Sequence, residues 1–155
     1  MELRERENSR LLRRRMLNVE DNNADDMQNI PRKTSMVFLV IVCLTAFLGG
    51  GALMADPTGG LLGMAVDRLH ASPFPDYLIP GIFLFVVIGF GSLITIIALV
   101  GRKKYASTLV MLCGGVLMAW IAIQIVMLDE INSFHAFYFT TGLFLVWLGF
   151  RQREI

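Results

Sequence analysis

Four runs of the chain carry no Asp, Glu, Lys or Arg: Met36–Met54, Leu78–Val100, Ala106–Leu128 and Phe134–Phe150, of 19, 23, 23 and 17 residues. Within them apolar residues follow one another without alternation, as in Leu39–Val42 and Phe83–Ile88. A helix rises about 1.5 Å per residue, so these runs reach roughly 25–35 Å, against a hydrocarbon core of about 30 Å. A membrane strand would be shorter and would alternate apolar with polar positions. In lipid every backbone group needs a partner in its own segment, which a helix supplies alone. The pattern predicts four transmembrane helices, the shortest extended through Ser133 or by letting Arg151 snorkel.

The connections Gly101–Tyr105 and Asp129–Ser133 are five residues each. Turns this short force the helices they join to pack antiparallel. The expected fold is therefore all-α, an up-down-up-down transmembrane four-helix bundle over 36–150. It is flanked by a basic cytoplasmic N-terminal arm, 1–35, and a tail, 151–155. The connection 55–77 is longer and has local structure written into it. Asp56-Pro57 suits a helix start, with the carboxylate as N-cap. Leu62, Val66 and Leu69 recur at helical spacing, and Ser72-Pro73-Phe74-Pro75 ends the turn. Asp76 is placed to cap the second span. This predicts an ordered loop with a short interfacial outer helix.

Charge orients the bundle. Of the 14 Lys and Arg residues, 13 lie on one side of the membrane in this topology, and only Arg68 falls on the other. Basic residues are retained in the cytoplasm, so both termini are expected there, in a cell membrane. The whole chain is 55% hydrophobic and 17% charged, outside the range of soluble domains. A net charge of +1 gives no argument for nucleic acid. The first span reads as an uncleaved anchor, because about 35 residues of mixed charge precede it. In the arm, Leu12, Met16 and Val19 share a helical face beside Arg13, Arg14 and Arg15. That resembles a basic amphipathic helix on anionic lipid; a disordered arm is the alternative. Asp21–Asn29 reads as a flexible linker closed by Pro31.

Candidate chemistry is sparse. No ionisable group lies deep in a span, where proton relays and ion pathways place one. Gln124 is the most polar residue of the third span, about 6 Å from its outer end. It is expected to join a neighbouring helix, at His135 or Thr140, rather than bind a ligand. His70, His135, Asp56, Asp67, Asp76, Asp129 and Glu130 all map to the outer face. They lack the spacing of a metal or acid–base site, so neither metal nor cofactor is expected. Cys43 and Cys113 sit at similar depth, seven residues from the inner ends of their spans, and read as small hydrophobes. Glycines at 49–51, 89, 91, 114, 115, 142 and 149 offer smooth surfaces for packing or homo-oligomerisation.

The stretch Gly49-Gly50-Gly51-Ala52-Leu53-Met54-Ala55-Asp56-Pro57-Thr58-Gly59-Gly60-Leu61-Leu62-Gly63, with Ser72-Pro73-Phe74-Pro75-Asp76-Tyr77-Leu78-Ile79-Pro80-Gly81, forms a pattern. It resembles a group of small four-span prokaryotic integral membrane proteins that have no assigned activity. The resemblance covers roughly residues 36–150 and implies architecture and a prokaryotic membrane, but no catalytic residue. The function expected is that of a non-enzymatic accessory or interaction subunit, partnered by the bilayer and by another membrane protein or a second copy. The alternative is a small-solute channel or transporter acting as an oligomer, with an intramembrane enzyme third.

Overall fold

The computed structural model describes residues 2–64, 69, 72–128 and 132–154, with side chains at all of these except 2–3, 5–6, 8–10, 21–28 and 154. Four long helices make up the fold: α1 (Glu2–Ala55), α2 (Leu78–Val100), α3 (Ala106–Leu128) and α4 (Ser133–Glu154). Each contains a segment long and apolar enough to cross a bilayer, namely Asn29–Ala55, Leu78–Val100, Ala106–Leu128 and Ser133–Arg153. Large apolar side chains such as Leu48, Ile97, Val126 and Phe134 face outward along these segments. A surface of that kind belongs against lipid. The protein is a multi-pass membrane protein built as an all-α four-helix transmembrane bundle.

Neighbouring helices run antiparallel and close a ring, α1 on α2 and α4, α3 on α4, and α2 on α3. One end of the ring carries Arg32, Lys33, Arg102, Lys103, Lys104, Arg151 and Arg153, and is called the basic end below; the other carries the 55–77 connection. The buried core forms three layers between these ends. Leu39, Leu99, Val110 and Leu145 lie nearest the basic end, and Val42, Ala46, Ile88, Leu117, Trp120 and Ile121 fill the middle. Leu53, Leu69, Tyr77 and Met127 close the loop end. Lipid is as apolar as these side chains, so the layers are held by close packing and hydrogen bonds instead of a hydrophobic drive.

Close packing is most marked between α3 and α4. A Cβ placed on Gly142 would lie 2.8 Å from the Gly114 carbonyl oxygen, and one on Gly149 would lie 2.9 Å from that of Ser107. The two backbones touch where these side chains are missing.

Three expectations need correction. First, α1 does not break at the expected linker: it is one helix of 54 residues from Glu2 to Ala55, with Pro31 inside it. Nothing between Glu2 and Ile30 is Gly or Pro. Pro31 removes only the bond from its own N–H to the carbonyl of Met27, and just beyond it Thr34 Oγ1 donates to the Ile30 oxygen at 2.9 Å and Ser35 Oγ to the Pro31 oxygen at 2.9 Å. Second, the first and fourth spans are longer than the charge-free runs. Helices α1 and α4 continue past those runs, and Arg32 and Arg153 on the continuations bond to other helices of the bundle. Third, the helical turn after Asp56-Pro57 starts later than the expected N-cap position and is 3-10, Gly60–Leu62, with Asp56 accepting from the Leu61 N–H. Gly59 and Gly63 flank it with φ of 79° and 67°, which glycine adopts without strain. Val66 lies outside the described residues, while Leu69 is buried in the layer at the loop end.

Candidate functional site

The second span is not a uniform helix. Seven residues of α2, Leu84–Phe90, form a π-helical turn. Its wider turn brings Phe85 and Phe90, five residues apart, onto one side, where both rings pack edge-on against Phe47 of α1 at 4.8 and 5.1 Å. The Cys43 thiol points at the Gly89 carbonyl, at 3.5 Å, across the same contact. Beyond this turn α2 presents Gly91, Ser92 and Thr95 towards α3.

There α2 and α3 leave a cavity of about 230 Å³. Val87, Ile94 and Thr95 of α2 and Leu109, Leu112 and Cys113 of α3 are among its walls. Ile94 and Leu112 are exposed at its lips, so it opens sideways. Thr95 Oγ1 donates to the Gly91 carbonyl at 2.8 Å and lies 3.0 Å from Cys113 Sγ. With its one proton on Gly91, the hydroxyl receives the thiol proton. Thr95 and Cys113 thus satisfy each other in the groove wall, where Ser92 supplies the other hydroxyl.

The basic end is tied together by side chains. Arg32 Nε donates to the Leu99 carbonyl at 3.0 Å, and Gln152 Nε2 to Ser35 Oγ at 2.8 Å. Arg153 Nη2 donates to Thr108 Oγ1 at 2.7 Å, and the Arg151 guanidinium lies 5.7 Å from the Trp147 ring centre. Helix α2 ends in a turn closed by bonds from Lys103 N to the Ala98 oxygen at 3.0 Å and from Arg102 N to the Leu99 oxygen at 3.2 Å. Arg102 has φ of 48°, in the position usually given to glycine.

The residues singled out from sequence are committed to local structure. Asp56 accepts from Thr58 Oγ1 at 2.6 Å, Thr58 N at 3.1 Å and Leu61 N at 3.0 Å. The Thr58 hydroxyl, with help from the backbone N–H groups, holds its carboxyl below the usual carboxylate range, against a smaller opposing effect of desolvation. Asp76 Oδ1 accepts from Leu78 N at 2.9 Å, at the start of α2. His135 is buried and caps α4 reciprocally with Asn132: the Asn132 N–H donates to His135 Nδ1 at 3.3 Å and the His135 N–H to Asn132 Oδ1 at 3.2 Å. This is a capping box with imidazole in the place of a carboxylate. Thr140 Oγ1 donates to the Ala136 carbonyl at 2.8 Å, so the expected bond from Gln124 to His135 or Thr140 is not the one formed. Gln124 is half-buried on α3. His70, Asp67, Asp129 and Glu130 lie outside the described residues. Among the described residues no three His, Cys, Asp or Glu side chains come together to hold a metal ion.

Sequence reasoning missed the pairing of Thr95 with Cys113, the Ser35–Gln152 bond and the state of Trp120. The Trp120 ring stacks on Phe83 at 4.4 Å, and its indole N–H is buried without a hydrogen-bond partner. Nothing in the spacing of these residues distinguishes them from ordinary core positions. Comparison with family models, curated proteins and solved structures returns no match.

Proposed function

We propose that this protein is a non-enzymatic membrane subunit that holds a partner protein through the projecting part of α1. The observation carrying this reading is the continuity of that helix. From the charge-free run that begins at Met36 it continues back to Glu2 as the same 54-residue element. At about 1.5 Å per residue, Arg13, Arg14 and Arg15 stand some 20 Å or more along it from the start of the span. That exceeds the Debye length of roughly 8–10 Å, which supports a protein partner for this face over the anionic leaflet. Leu11, Leu12, Met16, Leu17 and Val19 are all more than half exposed beside those arginines. A helix with apolar residues at i, i+4 and i+7 beside a basic face suits a groove with an acidic rim.

The excess of basic residues at one end supports a cytoplasmic arm and two cytoplasmic termini in a cell membrane. The test is crosslinking in native membranes followed by purification in mild detergent. A stoichiometric partner should be captured by the unaltered chain and lost from a Leu12→Glu/Met16→Glu variant that still folds. Substrate-dependent flux from purified protein in liposomes, abolished by Gln124→Leu with helicity unchanged, would overturn the subunit reading in favour of a transporter.

A further inference from the structure

The groove between α2 and α3 lies in the half of the bundle nearest the basic end. Thr95 is five residues before Val100, and Leu109 is four after Tyr105. The upper wall of the groove is therefore about 6–8 Å along the helices from the connecting turn. That turn carries Arg102, Lys103 and Lys104, all exposed, and no acid. Arg32 is held beside it by its bond to the Leu99 carbonyl.

The groove is mostly apolar. Thr95 and Cys113 are bonded to each other, and Thr95 also to the Gly91 carbonyl, so apart from the Ser92 hydroxyl an occupant meets hydrocarbon. A volume of about 230 Å³ is too small for a partner helix, which is about 10 Å across. A stretch of one acyl chain suits that space, the rest leaving past the exposed Ile94 and Leu112 into lipid. The turn adds charge. Arg102 keeps a side chain at φ of 48°, where an L-residue costs roughly 1–2 kcal/mol and glycine nothing. A cation thus stands at a turn position where the backbone prefers glycine.

We infer that the groove and the turn together bind an anionic phospholipid, with one acyl chain between α2 and α3 and the phosphate on Arg102, Lys103 and Lys104. The bilayer presents hydrocarbon and phosphate at these two depths, one above the other. A soluble anion would use the turn but not the groove. A neutral lipid would use the groove but not the turn. The site is separate from the α1 arm and does not depend on the partner proposed for it.

The experiment uses delipidated full-length protein titrated with phosphatidylglycerol and with phosphatidylcholine of the same chains, read by native mass spectrometry. Phosphatidylglycerol should bind on the order of tenfold or more tightly, since each basic residue near a phosphate surface contributes measurably. Lys103→Gln/Lys104→Gln should remove most of that preference. Gly91→Leu should lower occupancy by both lipids, because a Cβ there meets nothing closer than Cys113 Sγ at 4.0 Å and the longer side chain extends into the groove. Equal binding of the two lipids, or undiminished binding by folded Gly91→Leu, would overturn the proposal. If Gly91→Leu does not fold, lysophosphatidylglycerol bound to the unaltered protein is challenged with inorganic phosphate. Retention of the lipid in millimolar phosphate supports the two-part site. Displacement shows an anion site only and overturns it.

Discussion

Ser35 Oγ and Gln152 Nε2 meet at 2.8 Å across 117 positions of sequence, joining α1 to α4 at the basic end of the bundle. Ser35 is fully buried, and its own proton goes to the Pro31 carbonyl at 2.9 Å. The Gln152 amide also reaches that carbonyl, at 3.4 Å. One serine thus bonds back to its own helix and receives the bond from the opposite one.

Ser35→Ala and Gln152→Leu should each lower stability in detergent by about 1 kcal/mol, the usual size of a polar contact between membrane helices. Their combination should cost less than the sum of the two, because they remove the same bond. A double-mutant cycle by denaturant titration in mixed micelles checks this, and strict additivity would show the contact to be energetically idle.

Gly142, at the contact with Gly114, should differ sharply from Gly115, the exposed glycine next to Gly114 on α3. Gly142→Ala forces a Cβ against the Gly114 carbonyl oxygen at 2.8 Å, a backbone atom that cannot give way alone. Separating α3 from α4 there should cost roughly 1–3 kcal/mol, as overpacking generally does. Gly115→Ala meets nothing within 4 Å and should be neutral or stabilising through helix propensity. Thermal melts of the two variants side by side give the comparison.

The Asp56 cap should respond to acid. Hydrogen bonds from Thr58 and the 3-10 turn favour the ionised carboxylate and lower its pKa in the folded chain. Its contribution to the turn is therefore present above the unfolded value of about 3.9, and is lost as pH falls through the lower folded value. Exchange of the Leu61 amide, corrected for its intrinsic pH dependence, should rise over that acidic interval. Asp56→Asn should show no such step.

Topology can be read directly. In an antiparallel ring the 101–105 turn shares its side with both termini, and the charge bias assigns that side to the cytoplasm. A Lys103→Cys variant lacking Cys43 and Cys113 should label only after the membrane is permeabilised. Labelling of intact cells at that position would reverse the orientation.

Much of this architecture was legible without coordinates, and for one reason. A chain in lipid must pair its backbone within each segment, so uninterrupted apolar length alone calls for a helix, and short polar turns then dictate antiparallel neighbours. The Asp56 and Asp76 caps were equally local, each a carboxylate accepting from amides a few residues on. The continuity of α1 was not legible, because Pro31 reads as a stop, and yet the one bond its missing N–H removes does not end the helix here. What only the tertiary structure decided is which faces meet. Helices α3 and α4 are apolar on all sides, so no stripe in their sequences marks an inner surface. The contact is chosen instead by fit, Gly142 against Gly114 and Gly149 against Ser107, where missing side chains let backbones touch. The same holds for the groove under Arg102. Its wall pairs Thr95 of α2 with Cys113 of α3, and only the packing of those two helices brings them together.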